Sequence, residues 1–182
     1  VTVQSLDPKP RYINFAECHF QSGSAPRTGF IFDNEKWQHE VLVPSFSISS
    51  HAVSNGEYLE FLRSLSEAGT SSVEHQPAYW KKAGDVWFER CFDQWLEIDL
   101  KAPVRHISAN NAEQYCLWRG VRLPTENELN TLMVSPNAHW IQSNLWEWTS
   151  STFLPFEGFS SDPYQDYSIP SFDGKHRVLK GW

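Results

Sequence analysis

The chain is poor in cysteine, in clustered positive charge and in long apolar runs, and each shortage removes a class of function. Three cysteines in 182 residues, Cys18, Cys91 and Cys116, form an odd set without CxxC spacing. Neither a disulfide framework nor a zinc knuckle fits that pattern, so buried, reduced thiols are expected. The longest basic run is Lys81-Lys82, and the formal net charge is -7. A nucleic-acid groove and an anionic membrane surface are therefore disfavoured as partners. No apolar stretch approaches the ~20 residues that span a bilayer, and no charged-then-apolar leader follows Val1. A cytoplasmic location is the default expectation.

What is abundant is aromatic: nine Trp, twelve Phe and six Tyr. Rings bury large areas at small rotamer cost and suit a loop-rich fold with few helices. The length fits one domain with a core of its own. Residues 1–11 are polar and carry Pro8 and Pro10, which reads as a linker from something upstream. Residues 12–182 form the expected domain.

Helix starts are the clearest local signals. Ser54-Asn-Gly-Glu57 is a capping box, followed by one apolar face at Tyr58, Phe61, Leu62 and Leu65, with Gly69 placed to end the helix. Ser108 opens a second helix that buries Ala112, Tyr115 and Cys116 before Gly120. Thr125-Glu-Asn-Glu128 is another capping box, with Leu129, Leu132 and Met133 inward and Pro136 closing. Alternation predicts a first strand through Ile13, Phe15 and Phe20. A second runs through Val41, Val43, Phe46 and Ile48, edge-placed or bulged by Pro44. Val86–Phe92 and Arg177–Lys180 also read as strands. From Trp140 onward periodicity otherwise fades into aromatic, Pro and Gly punctuation. Long irregular stretches in compact domains are functional or disordered, and the aromatic density argues against disorder.

Two motifs stand above this background: Arg122-Leu-Pro-Thr-Glu126 and, about twenty residues on, Asn144-Leu-Trp-Glu-Trp-Thr149. In an extended segment Trp146 and Trp148 face one side and Glu147 the other. Glu147 then needs a partner: an Arg, backbone N–H groups or a hard cation. Phe32-Asp-Asn-Glu35 has polar side chains suited to tight-turn hydrogen bonding and one aromatic anchor, so a structural turn is the favoured reading. Asp162-Pro-Tyr-Gln-Asp-Tyr167 puts two phenols and two carboxylates on one loop, suited to polar substrate contacts or to solvent.

Together with Val53–Phe61, Pro77–Trp80, Pro103–Ser108 and Phe153–Phe159, in that order, these motifs resemble the formylglycine-generating-enzyme (sulfatase-modifying-factor) fold. The branch they resemble is the C-terminal domain of ergothioneine-type sulfoxide synthases, selenium-using relatives included. The resemblance implies an α+β, C-type-lectin-like fold with short strands, short helices and much ordered coil. It implies more chain beyond Trp182, and a reaction that joins a thiol or selenol donor to the imidazole of trimethylhistidine with oxygen. It also implies a three-histidine iron(II) site carried by an upstream helical domain. Here His19, His39, His51, His75, His106, His139 and His176 are nowhere closer than twelve residues. None pairs at helical spacing, so the iron is expected on that other domain and this chain is expected to be inactive alone. Of the seven, His106, between Val104 and Ile107, is the one expected to be buried.

In the resembling family the loop after the Trp-Glu-Trp segment lines the substrate cleft, and a tyrosine in it delivers a proton. That position falls on or near Phe153, which has no proton to give, so either the alignment slips there, or another phenol such as Tyr164 or Tyr167 takes the role, or oxygen is handled differently. The expected substrate-binding set is Phe153, Phe156, Phe159, Tyr164, Tyr167 and Trp148. Purely structural packing of the three phenylalanines is the competing reading. The resemblance further implies a calcium ion at Glu147, although Trp140 and Ser143 replace two of its expected partners. A salt bridge or a carboxylate capped by backbone N–H groups is the alternative there. Formylglycine chemistry itself is disfavoured, because no cysteine follows Cys116. A module of the same fold that binds a ligand or protein without catalysis is the other functional class.

Overall fold

The protein is described from a computed structural model covering residues 11–26, 29–136, 140, 143–164 and 166–181. The expected linker, apart from Arg11, lies outside the described residues, as does His139. The chain forms two compact units. The first is built chiefly from Ser49–Leu123. The second is built from Ile13–Ile48, Pro124–Ala138 and Trp146–Trp182.

In the first unit, helix α1 (Asn55–Glu67) starts as its sequence dictates. The Ser54 hydroxyl accepts from the Glu57 amide, and the Glu57 carboxylate accepts from the Ser54 amide at 2.9 Å. Such a cap stabilises a helix by about 1 kcal/mol. Helix α2 (Ala109–Arg119) is capped by Ser108 and ends at Gly120 in the left-handed region, φ 74°. Only glycine holds that conformation without a Cβ penalty. Tyr58, Phe61 and Leu62 of α1 meet Tyr115 and Cys116 of α2, with Trp80 and Ile98, in one buried cluster. Tyr58 is fully buried and donates its hydroxyl to the His75 carbonyl at 2.9 Å, so its burial leaves no orphan donor.

A three-stranded meander, β5 (Trp80–Ala83), β6 (Val86–Cys91) and β7 (Gln94–Glu97), completes this unit. Only β6 was legible as a strand. Its neighbours are four residues each, joined by two-residue hairpins at Gly84-Asp85 and Phe92-Asp93. Phe92 is 92% exposed with φ 54°, a residue type the turn does not favour.

In the second unit the first expected strand is two, β1 (Tyr12–Phe15) and β2 (Cys18–Ser22), and so is the next, β3 (His39–Val43) and β4 (Phe46–Ser49). Pro44 lies at the break rather than within one bulged strand. β2 pairs with β3 and β1 with β4, in two separate ladders. Phe15 and Phe46 stack at 4.8 Å between centroids. Helix α3 (Glu126–Val134) carries the expected capping box of Thr125 and Glu128 and contacts β2, β3, β8 and β9. The last two strands, β8 (Glu147–Thr152) and β9 (Arg177–Lys180), pair antiparallel with an irregularity between Trp148 and Thr152.

Among the described residues no helix is long and apolar enough to cross a membrane. Cys18 and Cys91 are half-buried free thiols and Cys116 is buried. Burial pushes the Cys116 thiol up to about 11. His106 corrects an expectation: it is exposed, because a φ of 60° turns it out of the Val104–Ile107 run, and its ring packs edge-on to Tyr79 at 4.7 Å. Among the described residues the deeply buried histidine is His51, 6% exposed, whose Nδ1 bonds the Ala52 carbonyl at 2.9 Å.

Candidate functional site

The residues just past the second signature motif are bonded to the first inside the second unit. Ser150, just past the Trp-Glu-Trp segment, donates its amide to the Pro124 carbonyl at 2.8 Å. The Glu126 amide, at the first turn of α3, donates to the Ser151 hydroxyl at 2.9 Å. The Glu126 carboxylate takes the Lys180 ammonium of β9 at 2.8 Å, and Arg177 donates to the Ser150 carbonyl at 2.6 Å. Helix start and both strands are thus one hydrogen-bonded assembly. An acidic residue in a first helical turn also complements the helix dipole.

Within that assembly β8 begins at Glu147, so Trp146 precedes the strand and is 68% exposed, while Trp148 is half-buried. The fully buried residue is Thr149, which donates its hydroxyl to the Val178 carbonyl at 2.8 Å. Glu147 stands directly opposite Lys180 in the ladder, placing a cation across the strand from the carboxylate.

The loop that follows β8 carries the phenylalanines and tyrosines of the expected substrate-binding set. The Phe153 amide donates to the His176 carbonyl at 2.8 Å, and its ring meets Phe172 at 4.9 Å. Phe159 meets the same Phe172 ring edge-on at 5.2 Å. Phe156 packs on His39 at 4.8 Å. Tyr167 stacks on Phe32 at 5.2 Å with an interplanar angle of 11°, and Phe32 in turn meets Phe30 edge-on at 4.9 Å. Tyr164 is 67% exposed and Tyr167 50%. The structure therefore distributes the six expected residues. Phe153 and Phe159 share one partner, Phe156 leans on the first residue of β3, Tyr167 leans on Phe32 at the turn before it, and Trp148 sits in the strand.

That turn is the part of the site least visible in the sequence. Asp33–Glu35 form a single 3₁₀ turn, consistent with the structural reading of Phe32–Glu35. Asp33 is 1% exposed, and the equally buried Ser168 donates its hydroxyl to it. Lys36 pairs with Asp162, which commits one carboxylate of the 162–167 loop to an internal ion pair. Gly23 closes the turn from beneath. Its φ is 81°, and a Cβ there would lie 2.7 Å from the Trp37 carbonyl oxygen. The Ser24 amide donates to the Glu35 carbonyl at 2.8 Å. Lys36, His39, Ser168 and Phe172 were missed because they sit far apart in sequence and belong to no motif. The lone Lys after Asp-Asn-Glu was the one available signal.

At the far end of the loop Asp173 accepts from the His176 ring and from the amides of Lys175 and His176. These bonds, the His176 ring first, hold its carboxyl well below the usual range.

The sulfatase-modifying factor enzyme 1-like domain pattern matches residues 4–131. The chain belongs to that family. The mixture of three helices and short strands among the described residues is the α+β fold expected of it. The hercynine oxygenase of Mycobacterium tuberculosis is 29% identical, over 82% of this chain and 48% of its own length. Ergothioneine biosynthesis protein 1 of Schizosaccharomyces pombe is 33% identical, over 84% of this chain and 23% of its own. The inactive C-alpha-formylglycine-generating enzyme 2 of Bos taurus is 31% identical, over 60% and 44% respectively. The chain thus spans about half the length of the first relative and about a quarter of the second.

The iron implied by the sulfoxide-synthase resemblance does not fit what the described residues offer. Among them, no group of three His, Cys, Asp or Glu side chains is placed to hold a metal ion.

Proposed function

We propose that this chain is the substrate-binding part of a sulfoxide synthase that joins a thiol or selenol donor to the imidazole of trimethylhistidine (hercynine) with oxygen. The observation that carries this is similarity across more than four-fifths of the chain to a hercynine oxygenase and to an ergothioneine biosynthesis protein. The aromatic loop supports it chemically. Ring faces of Phe153, Phe156, Phe159 and Trp148 attract a trimethylammonium group by ~0.5 to 2 kcal/mol each when suitably placed. Tyr164 and Tyr167 are the exposed phenols of the loop, and one of them supplies the proton that Phe153 cannot.

On this reading the iron and its histidines belong to an upstream helical domain of the longer protein, and the chain alone does not turn over. It works in the cytoplasm, where its three thiols stay reduced.

The test is a titration of the purified chain with trimethylhistidine, read by the fluorescence of its nine tryptophans. A saturable change that Tyr167→Ala and Phe156→Ala weaken is expected. A flat response over the millimolar range overturns the assignment of the cleft to this chain.

Similarity to the inactive bovine protein favours one other reading, a lectin-like module that binds a ligand or protein without catalysis. A flat titration, together with a full-length parent that does not consume trimethylhistidine, selects that reading.

A further inference from the structure

The turn at Asp33 buries a carboxyl group that no cation among the described residues pairs with. Asp33 is 1% exposed; Ser168 donates to its Oδ1, and among the described residues nothing donates to its Oδ2. The next residue repeats the pattern, because Asn34 Oδ1 is also buried and receives no hydrogen bond from them. An ionised carboxylate has only acceptor sites, and an amide oxygen likewise only accepts. Burying a carboxylate in this way is heavily unfavourable unless it is paired or coordinates a metal. Among the described residues the neighbouring charge does not supply the pairing. Glu35 adds a second negative group to the turn, and the Lys36 ammonium is engaged by Asp162.

We propose that Asp33 Oδ2 and Asn34 Oδ1 hold a hard cation, for which calcium is the natural probe. Carboxylate and amide oxygens are its preferred ligands, and main-chain carbonyls and water complete the six to eight oxygens that calcium takes. The ion would neutralise the turn and lock it beneath Ser168. This site is distinct from Glu147, which lies on β8 opposite Lys180.

The experiment strips the chain with EDTA. It then follows thermal unfolding and tryptophan-sensitised terbium emission as calcium or terbium is added at constant ionic strength. The wild type should show a saturable rise in Tm and a saturable emission. Asp33→Asn should lose both, Asn34→Ala should shift the midpoint by about tenfold or more, as loss of about 1.4 kcal/mol requires, and Glu147→Gln should keep the wild-type response. No cation dependence in the wild type overturns the proposal. So does a response that Glu147→Gln abolishes and Asp33→Asn retains. Should Asp33→Asn fail to fold, an unshifted midpoint in Asn34→Ala overturns it equally.

Discussion

Ser168 donates its hydroxyl hydrogen bond to Asp33, 135 residues earlier in the chain, and each residue is only 1% exposed. This contact fastens the segment that carries Tyr164, Tyr167 and Phe172 to the turn that follows Phe32. The order of the candidate site depends on it more than on any of the aromatic contacts, each of which contributes about 0.5 to 1.5 kcal/mol beyond its area.

Ser168→Ala should therefore lower stability by about 2 kcal/mol, because it leaves a buried carboxylate without its donor. Urea denaturation measures the loss. Trimethylhistidine affinity should fall in the same variant although Ser168 is too buried to touch a ligand. A variant as stable as the wild type would show that the contact is not formed in solution.

Gly23→Ala tests the floor of the same turn. The added Cβ would sit 2.7 Å from the Trp37 carbonyl oxygen, on backbone at φ 81°. The left-handed conformation alone costs about 1–2 kcal/mol for an L residue, and the clash with backbone adds to it. A drop in Tm larger than that of Gly158→Ala is expected, since nothing lies within 4 Å of a Cβ at Gly158 although its φ is similar at 78°.

Alkaline stability should fall early. Burial raises the Cys116 thiol from its ordinary 9.0 to about 11, and the same cause raises the phenols of Tyr58 and Tyr115 above their ordinary 10.0. The unfolded chain then loses these protons before the folded one, so it binds fewer protons as pH rises above about 9 and the stability slope is negative. The contribution of Cys116 is complete below pH 9 and is lost between about 9 and 11. Urea midpoints measured from pH 8 to 10.5 should decline, and Cys116→Ala should decline less steeply over that window. A midpoint that stays level contradicts the burial of all three groups.

Phe92→Gly should raise stability. The ring is 92% exposed and the residue sits at φ 54°, so the change removes backbone strain of about 1–2 kcal/mol and almost no packing. Added freedom of glycine in the unfolded chain offsets part of this, about 0.5–1 kcal/mol. A net gain in the denaturation midpoint is the expected sign, and a loss would mean that the Phe92 ring is covered in solution.

How much of this was readable from the residues depended on the range of the interaction. The helices were legible because Ser54, Ser108 and Thr125 each accept from an amide three residues on, and Tyr58, Phe61 and Leu62 repeat with helical period. Strands were less evenly legible: Val86–Cys91 and the four-residue Arg177–Lys180 were found, whereas Trp80–Ala83 and Gln94–Glu97, beside the first, were not. His106 was misplaced because apolar neighbours imply burial only while the backbone stays extended, and a φ of 60° breaks that rule. Within the site, the aromatic loop could be named from sequence. Its anchors could not, since Ser168 with Asp33 and Lys36 with Asp162 are joined by topology alone.

The bonds from Ser150 to Pro124 and from Glu126 to Ser151 carry a consequence for exchanging parts between relatives. A transplanted aromatic loop brings its own β8, and that strand expects a matching Pro-Thr-Glu corner to receive it. Chimaeras cut between the two motifs would mismatch hydrogen bonds across the seam. Those that move residues 122–152 as a block would keep donor and acceptor together.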